Sequence, residues 1–379
     1  MICSGLRVLH LVNEVVDTGN GIVNVTVDLA IDAHARGHEV AVASSGGGFV
    51  DLLRSSGVAH HRIDFRGEPL RSFSKLRALI ADFQPDIVHA HTVAPCVLAA
   101  AVRAVPGGSD FALIATMHNV YQRSSLLMAS ADMTVGVAQS VSDVVGSRRI
   151  RSPLLATVVN GVVNSPRRGR SNPVARELGP RSIVAVGAVS HRKGGDVLLA
   201  AFEILASTRR DLHLWFIGNK DWEEFVHEAE SSAHADRVHL IGLADDPTAF
   251  LGEATVVALA SRREGLALSL LEAREAGAAI VATETDGARE GLDAGEAGLL
   301  VPVDDPDALA TALARVIDDR ECRDDLRRRS ANGLDRFSVT RMARSRKAEG
   351  RATVMILPPF AGRGAFLPLA AMRAAISWR

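Results

Sequence analysis

The chain has 379 residues, of which 47% are apolar and 23% charged, with a formal net charge of −1. This is ordinary composition for a soluble globular protein of two or three domains, and its balanced charge provides no global field that would draw it to nucleic acid. The cysteines, Cys3, Cys96 and Cys322, are scattered and odd in number, which excludes a disulfide framework or a cysteine zinc site and points to a reducing compartment. The opening MICSGLRVLHLV lacks the basic n-region and cleavage site of a signal peptide. No apolar run reaches the roughly 18 residues of a membrane-crossing helix, so a cytoplasmic location is expected.

In chain order, Arg7 to Val12 reads as a buried strand. A Gly-containing turn, Gly19-Asn20-Gly21, leads into a helix from Ile22 to Arg36 that ends at Gly37. Glu39 to Ala43 is the next strand, completing a βαβ unit whose glycine loop lets a ligand approach the backbone. Gly46-Gly47-Gly48 opens another helix, and Ser72 to Phe83 is a further one. Ile87 to Ala90 is a strand. His89 and His91 stand two apart and share a face; with no third ligand at a telling spacing, they read as polar or core residues and no metal site is expected. Phe111 to Thr116 is a strand with His118 just past its carboxyl end, a site-like position that a structural histidine could equally fill. Strand Met133 to Val137, helix Gln139 to Ser147 and strand Ala156 to Val159 complete this half.

Residues 164–181, NSPRRGRSNPVARELGPR, lose hydrophobic periodicity and form the best linker candidate. A second α/β half follows. Strand Ile183 to Val186 ends at Gly187, and a helix runs from Gly194 to Ala206. Lys193 stands at that helix's N-terminus, well placed for a phosphate. Strands Leu212 to Ile217, Val238 to Ile241, Thr255 to Ala260, Ala278 to Ala282 and Gly298 to Val301 follow, with helices between. Asp304-Asp305-Pro306 caps a helix from Ala308 to Ile317. The tail from Arg341 carries eight basic residues against one acid, Glu349, and is broken by Pro358, Pro359 and Pro368. It reads as a poorly ordered extension; a basic, partly apolar tail also suits contact with an anionic membrane surface.

The stretch from Ser261 to Glu290 carries the chemistry. Glu264 follows a strand, and a helix from Leu266 to Ala276 contains Glu272, eight positions on. Along a helix that spacing is about 12 Å, too long for the roughly 5–9.5 Å of a glycosidase pair. Two carboxylates so separated either hold the two ends of a long ligand, with a phosphate on the helix N-terminus between them, or are solvated helix residues.

This stretch resembles the Glu-x7-Glu motif of the retaining nucleotide-sugar glycosyltransferases of glycosyltransferase family 4. QPDIVHAHT, Thr116-Met117-His118, VVNGV, GAVSHRKGGDVLL, GLLVPVDDPDALA and GNGIVNVTVDLAIDAHARGHEVAV are also similar to family markers, in order from about residue 6 to 343. The resemblance implies an α/β fold of GT-B type, two Rossmann-like domains facing across a cleft. Residues 1–165 would form the acceptor-side domain, 166–181 the linker, 182–340 the nucleotide-sugar domain and 341–379 a divergent tail.

It also implies roles. Glu264 would hold the transferred sugar and Glu272 the ribose hydroxyls. Lys193, aided by Arg192, would neutralise the diphosphate, with Gly265, Leu266, Ala267 and Leu268 offering the backbone turn and N–H groups. Gly21 would approach phosphate and acceptor, and His118 would face the donor sugar. Lys193, His118 and Glu264 would be the catalytic set. No metal or other cofactor is implied, and the partners would be a nucleotide diphosphate sugar and a glycan, lipid-linked or small-molecule acceptor. The family often has Arg five positions before the phosphate Lys; Ala188 stands there. The expected function is retaining sugar transfer in surface polysaccharide or glycoconjugate synthesis. The alternatives are a degenerate, non-catalytic protein that binds nucleotide-sugar or a partner, or a GT-B sugar epimerase or phosphorylase.

Overall fold

The computed structural model of the chain describes residues 5–17, 19–106, 110–120, 123–147, 154–168, 177–220, 222–244 and 247–344. The chain divides into two compact units: Met1–Asn160 with the chain from Val339 onward, and Gly161–Ser338. Among the described residues no helix is long and apolar enough to cross a membrane.

The first unit is built on strands β1 (Arg7–Leu11), β2 (Glu39–Ser44), β3 (Ala59–Arg62), β4 (Ile87–Ala90), β5 (Ala112–Met117), β6 (Met133–Gly136) and β7 (Leu155–Thr157). They form one parallel sheet in the order β3-β2-β1-β4-β5-β6-β7. The central strands are buried on both faces, which is why they read as unbroken apolar runs. Helices α1 (Gly21–Ala35), α2 (Val50–Ser55), α3 (Pro69–Phe83), α4 (Val93–Ala104) and α5 (Gln139–Ser147) connect them. Asn20 caps α1, its side-chain oxygen accepting from the Ile22 N–H at 3.0 Å. Gly37 follows the helix at φ 86°, a left-handed conformation that costs glycine little.

The second unit has strands β8 (Arg181–Val186), β9 (Leu212–Ile217), β10 (Val238–Gly242), β11 (Val256–Leu259), β12 (Ile280–Thr283) and β13 (Leu299–Val301), parallel in the order β10-β9-β8-β11-β12-β13. Its helices are α6 (Gly195–Ala206), α7 (Glu223–Glu230), α8 (Thr248–Glu253), α9 (Leu268–Glu275), α10 (Asp286–Gly291), α11 (Pro306–Asp318) and α12 (Arg320–Ser330). One apolar core joins α6 and α11 to the sheet through Phe202, Leu205, Leu214, Val281, Leu309 and Leu313. Asp305 caps α11 by accepting from the Ala308 N–H at 2.8 Å, with Pro306 in the first turn, as the capping turn read from the sequence requires. In both sheets the strand order reverses beside the first strand, at β1/β4 and at β8/β11, the switch points where open α/β sheets bind ligands.

The unit boundaries fall earlier than expected. The second unit begins at Gly161 rather than after 165, because Val162 and Val163 both donate to the Phe337 carbonyl, at 2.7 and 3.0 Å. It ends at Ser338 rather than 340. Helix α13 (Val339–Arg344) belongs to the first unit and packs on α1; Arg36 donates to the Thr340 carbonyl at 3.1 Å and Thr340 to Asp32 at 3.4 Å. The chain therefore returns to the first unit at Val339. The rest of the tail, residues 345–379, lies outside the described residues, as do 169–176 of the linker and Asp245-Asp246.

Helix α9 is only eight residues long, too short to hold itself together in water. Arg274 fixes it from behind. Its side chain is 0% exposed and donates to the carbonyls of Ser330 (2.9 Å), Gly291 (2.6 Å) and Asn332 (2.7 Å) and to Asp293 (3.1 Å), with the guanidinium over the Phe337 ring. Arg274→Ala would leave the Ser330, Gly291 and Asn332 carbonyls without this donor and remove one of the two cations on Asp293. We expect a loss of about 3 kcal/mol or more, read as a lower urea midpoint; an unchanged midpoint would show that the network carries no stability.

Candidate functional site

Strands β8 and β11 are neighbours, so the turns that follow them meet at the carboxyl edge of the second sheet. The turn after β8 is a 3-10 segment, His191–Lys193, followed by Gly194. Gly194 has φ 67°, and a Cβ there would lie 2.0 Å from the Ala260 carbonyl oxygen, so only glycine lets the two turns touch. Arg262 ties them: its N–H donates to the Arg192 carbonyl (2.9 Å), and its guanidinium to the His191 carbonyl (2.6 Å), to both oxygens of Asp196 (2.8 and 2.7 Å) and to Asp304 (2.5 Å). On the other side, Thr283 of β12 donates to the Leu259 and Ser261 carbonyls.

Glu264 sits inside this frame with its side chain 12% exposed. One carboxylate oxygen accepts from Lys193 Nζ at 2.5 Å, from the Arg192 guanidinium at 2.8 Å and from Ser261 Oγ at 3.2 Å. Burial by itself would push the carboxyl pKa up; Lys193 and Arg192 together overcome it and hold the pKa below its ordinary value. Glu264 is therefore an anion clamped by two cations. Gly265 follows, and a Cβ on Gly287 of α10 would come within 1.3 Å of its carbonyl oxygen, so this turn also rests on a bare glycine. Helix α9 then starts at Leu268, and its N-cap, Ala267, offers no side-chain acceptor to the first N–H groups. A small recess beside it is lined by Ser261, Glu264, Ala267, Leu270, Thr283 and Thr285.

Glu272 lies on α9, 7% exposed, and belongs to a different ion cluster. Arg168 reaches it at 3.9 Å and pairs with Glu275 on the next turn. Glu264 precedes the helix, which begins at Leu268 rather than Leu266, so the helical rise does not measure the separation of the two glutamates.

The first unit holds Gly21 and His118. Gly21 is the first residue of α1, directly after the Asn20 cap. His118 follows β5, its Nε2 shielded from solvent with no hydrogen-bond partner among the described residues. It is the end of a set of four imidazoles. The register of β1 and β4 puts His10 opposite His89, His10 Nδ1 lies 3.1 Å from His91 Nε2, and His89 Nε2 lies 2.7 Å from Thr116 Oγ1. His10, His89 and His91 are each 1% exposed, and nitrogens of the three lie within 4.8 Å of one another. Burial lowers the pKa of His10 to about 4 and of His118 to about 3, and holds His89 and His91 well below the usual value, so the set is neutral.

Thus Glu264, Lys193 and Arg192 come together in one group with Gly265, Leu266, Ala267 and Leu268 at its helix. Glu272 answers to Arg168, and Gly21 and His118 belong to the other unit. His10 and Arg168 were not foreseen. His10 becomes the missing third partner of His89 and His91 only once β1 pairs with β4, which no spacing along the chain reveals. Arg168 lay in the stretch dismissed as linker.

Residues 19–163 match the family model described as Glycosyltransferase Family 4, and residues 180–319 the model described as Glycosyl transferases group 1. The chain is 28% identical over 357 residues to a phosphatidyl-myo-inositol mannosyltransferase of Mycolicibacterium smegmatis, covering 85% of this chain and 87% of that one. It is 28% identical over 202 residues to the lipopolysaccharide core biosynthesis glycosyltransferase LpsE of Rhizobium meliloti, covering 53% and 57%. In structure it is similar to Anabaena HepE solved with UDP-glucose, with a TM-score of 0.75, 19% identity and coverage of 89% of this chain and 97% of that one.

The neutral histidines set an acid limit. Their folded pKa values lie below the unfolded 6.5, so the unfolded chain binds more protons below that pH. Stability is complete above pH 6.5 and is lost as pH falls toward the folded values near 4 and 3. Urea unfolding at pH 7.5, 6 and 5 should lose up to about 1.4 kcal/mol per pH unit for each histidine that titrates. His10→Asn should shed one histidine's share of that slope; an identical slope would mean that His10 is not buried neutral.

Proposed function

The chain belongs to glycosyltransferase family 4 and has the GT-B fold, and from that premise we propose that it transfers a hexose, with retention of anomeric configuration and without a metal, from a nucleotide diphosphate sugar to a hydroxyl acceptor. The observation that carries this reading is the Glu264 carboxylate held between Lys193 and Arg192 at the entrance to α9. The leaving group of such a donor is a nucleotide diphosphate, so the demand on the enzyme is to stabilise negative charge that develops there. Lys193, Arg192 and the uncapped N-terminus of α9 supply positive potential at one place. An incoming diphosphate competes with Glu264 for both cations. Released from them, the carboxylate accepts hydrogen bonds from sugar hydroxyls.

Arg192 thereby takes the part that Ala188 leaves unfilled. Glu272, buried on α9 with Arg168 3.9 Å away, is assigned the ribose hydroxyls. Gly21 and His118 are assigned to the phosphate or acceptor and to the donor sugar. The proposed setting is glycan or glycolipid assembly, which the names of the relatives support; the proposed place is the cytoplasmic membrane face, and the acceptor is a glycan, a lipid-linked or a small-molecule alcohol.

The test is transfer from UDP- and GDP-hexoses to a panel of lipid and glycan acceptors, with the product's anomeric proton read by NMR. Retention is expected, with turnover unchanged in EDTA. Lys193→Ala and Glu264→Gln should each lower kcat by about 10²–10³-fold. A Glu264→Gln variant with the wild-type rate would remove the basis of the assignment. Tight nucleotide binding with no transfer to any acceptor would favour the binding-only alternative.

A further inference from the structure

Three of the buried histidines take no part in the proposed transfer. His10, His89 and His91 form a column of rings with centroids 4.2–5.3 Å apart. The backbone fixes where they stand. His10 on β1 and His89 on β4 are opposite one another in the parallel register, and the His91 N–H, just past β4, donates to the Leu11 carbonyl at 2.9 Å. Each ring is 1% exposed and neutral, so its lone pair is available at neutral pH without loss of a proton.

Hydrogen bonding alone leaves the set unsatisfied. His10 Nδ1 and His91 Nε2 lie 3.1 Å apart, and one proton serves that contact. His10 Nε2 and His91 Nδ1 are buried with no partner among the described residues. Buried polar atoms without partners are rare, and a missing ion is one of their standard causes.

The distances fit one ion. A nitrogen from each ring lies within 4.8 Å of those from the other two. Imidazole nitrogens about 2.0–2.1 Å from a tetrahedral zinc are about 3.3 Å from one another, with ring centroids about 5 Å apart. The 3.1 Å contact between His10 and His91 already has that spacing. His89 has the support a ligand needs on its other nitrogen. Its Nε2 lies 2.7 Å from Thr116 Oγ1. An Nε2–H donated to that hydroxyl leaves the lone pair on Nδ1 and holds the ring in place, as the partners of metal-bound histidines do.

We propose that His10, His89 and His91 are the ligands of a zinc ion that ties β1 to β4, with a water in the fourth position. Three neutral imidazoles select zinc and its neighbours among the transition metals, and not magnesium or manganese, which take oxygen donors. The ion therefore belongs to the framework of the first unit and not to the chemistry of the diphosphate, and the transfer proposed above stays metal-free. With its ligands 1% exposed, the ion enters as the chain folds, and EDTA added to the folded protein removes it slowly.

The test is a metal count by mass spectrometry on the full-length chain, produced in zinc-supplemented medium and desalted. One zinc per chain is expected, with a higher urea midpoint than protein stripped by prolonged dialysis against a chelator. His10→Asn should hold none, and its midpoint should not respond to zinc. Thr116→Val should bind zinc about ten- to a hundred-fold more weakly in chelator competition. His239→Asn is the control for surface binding, because His213 Nδ1 and His239 Nε2 form a half-buried pair 3.1 Å apart in the second unit; it should keep the ion. If His10→Asn fails to fold, X-ray absorption of the zinc-loaded wild type decides, with three imidazole nitrogens expected at about 2.0 Å. Fewer than three would overturn the proposal. So would a wild type that holds no zinc, or an ion that persists in folded His10→Asn. None of these measurements needs a substrate, so they stand or fall apart from transfer activity.

Discussion

Parallel strands all finish on the same edge of their sheet, and in both units of this chain that edge carries a cluster of ionisable side chains. In the second unit the constraint brings the turns after β8 and β11 side by side, which is the only reason residues 192–193 and 261–264, about seventy positions apart in sequence, share one carboxylate. In the first unit it lines up His10 and His89 and sets His91 and His118 just beyond them. Where the turns must touch, the sequence supplies glycine: Gly194 beneath Ala260 and Gly287 beneath Gly265.

The two edges handle charge in opposite ways. Glu264 is largely buried and stays ionised because two cations and a hydroxyl surround it. Removing either cation would leave much of the desolvation cost uncompensated. The histidine column is buried without a counter-charge and stays neutral. At one edge a largely buried carboxylate stays charged; at the other the buried rings stay uncharged. Both states are set by desolvation; what differs is whether an opposite charge lies within reach.

Much of the fold was legible because double-sided burial makes strands into apolar runs: Ile87–Ala90 and Leu212–Ile217 were read to the residue. Edge and polar elements were not. β3 reads AHHR and sits at the sheet's edge, half exposed, with no apolar run to betray it. α12 reads RECRDDLRRRS and buries only Leu326 and Ser330, too few for a period. In the site, Glu264 and Lys193 were visible because each stands at a strand-to-helix switch. Arg168 was not, because its function as a partner of Glu272 and Glu275 depends on how the chain after Gly161 folds back on α9.

Helix α9 shows why the site needs support well outside its contacts. Eight residues form barely two turns, and the sequence around them has no capping side chain at the N-terminus. That omission gives up about 1 kcal/mol of helix stability. The compensation comes from the opposite face, where Arg274 collects three carbonyls and Asp293, and Arg336 adds a second cation to Asp293. Glu272 and Arg274 are two residues apart, so one points into the Arg168 ion cluster and the other into the interior. Helix α9, uncapped at its N-terminus, is held from the other face by a buried arginine, which ties the position of Glu272 to residues 330–337.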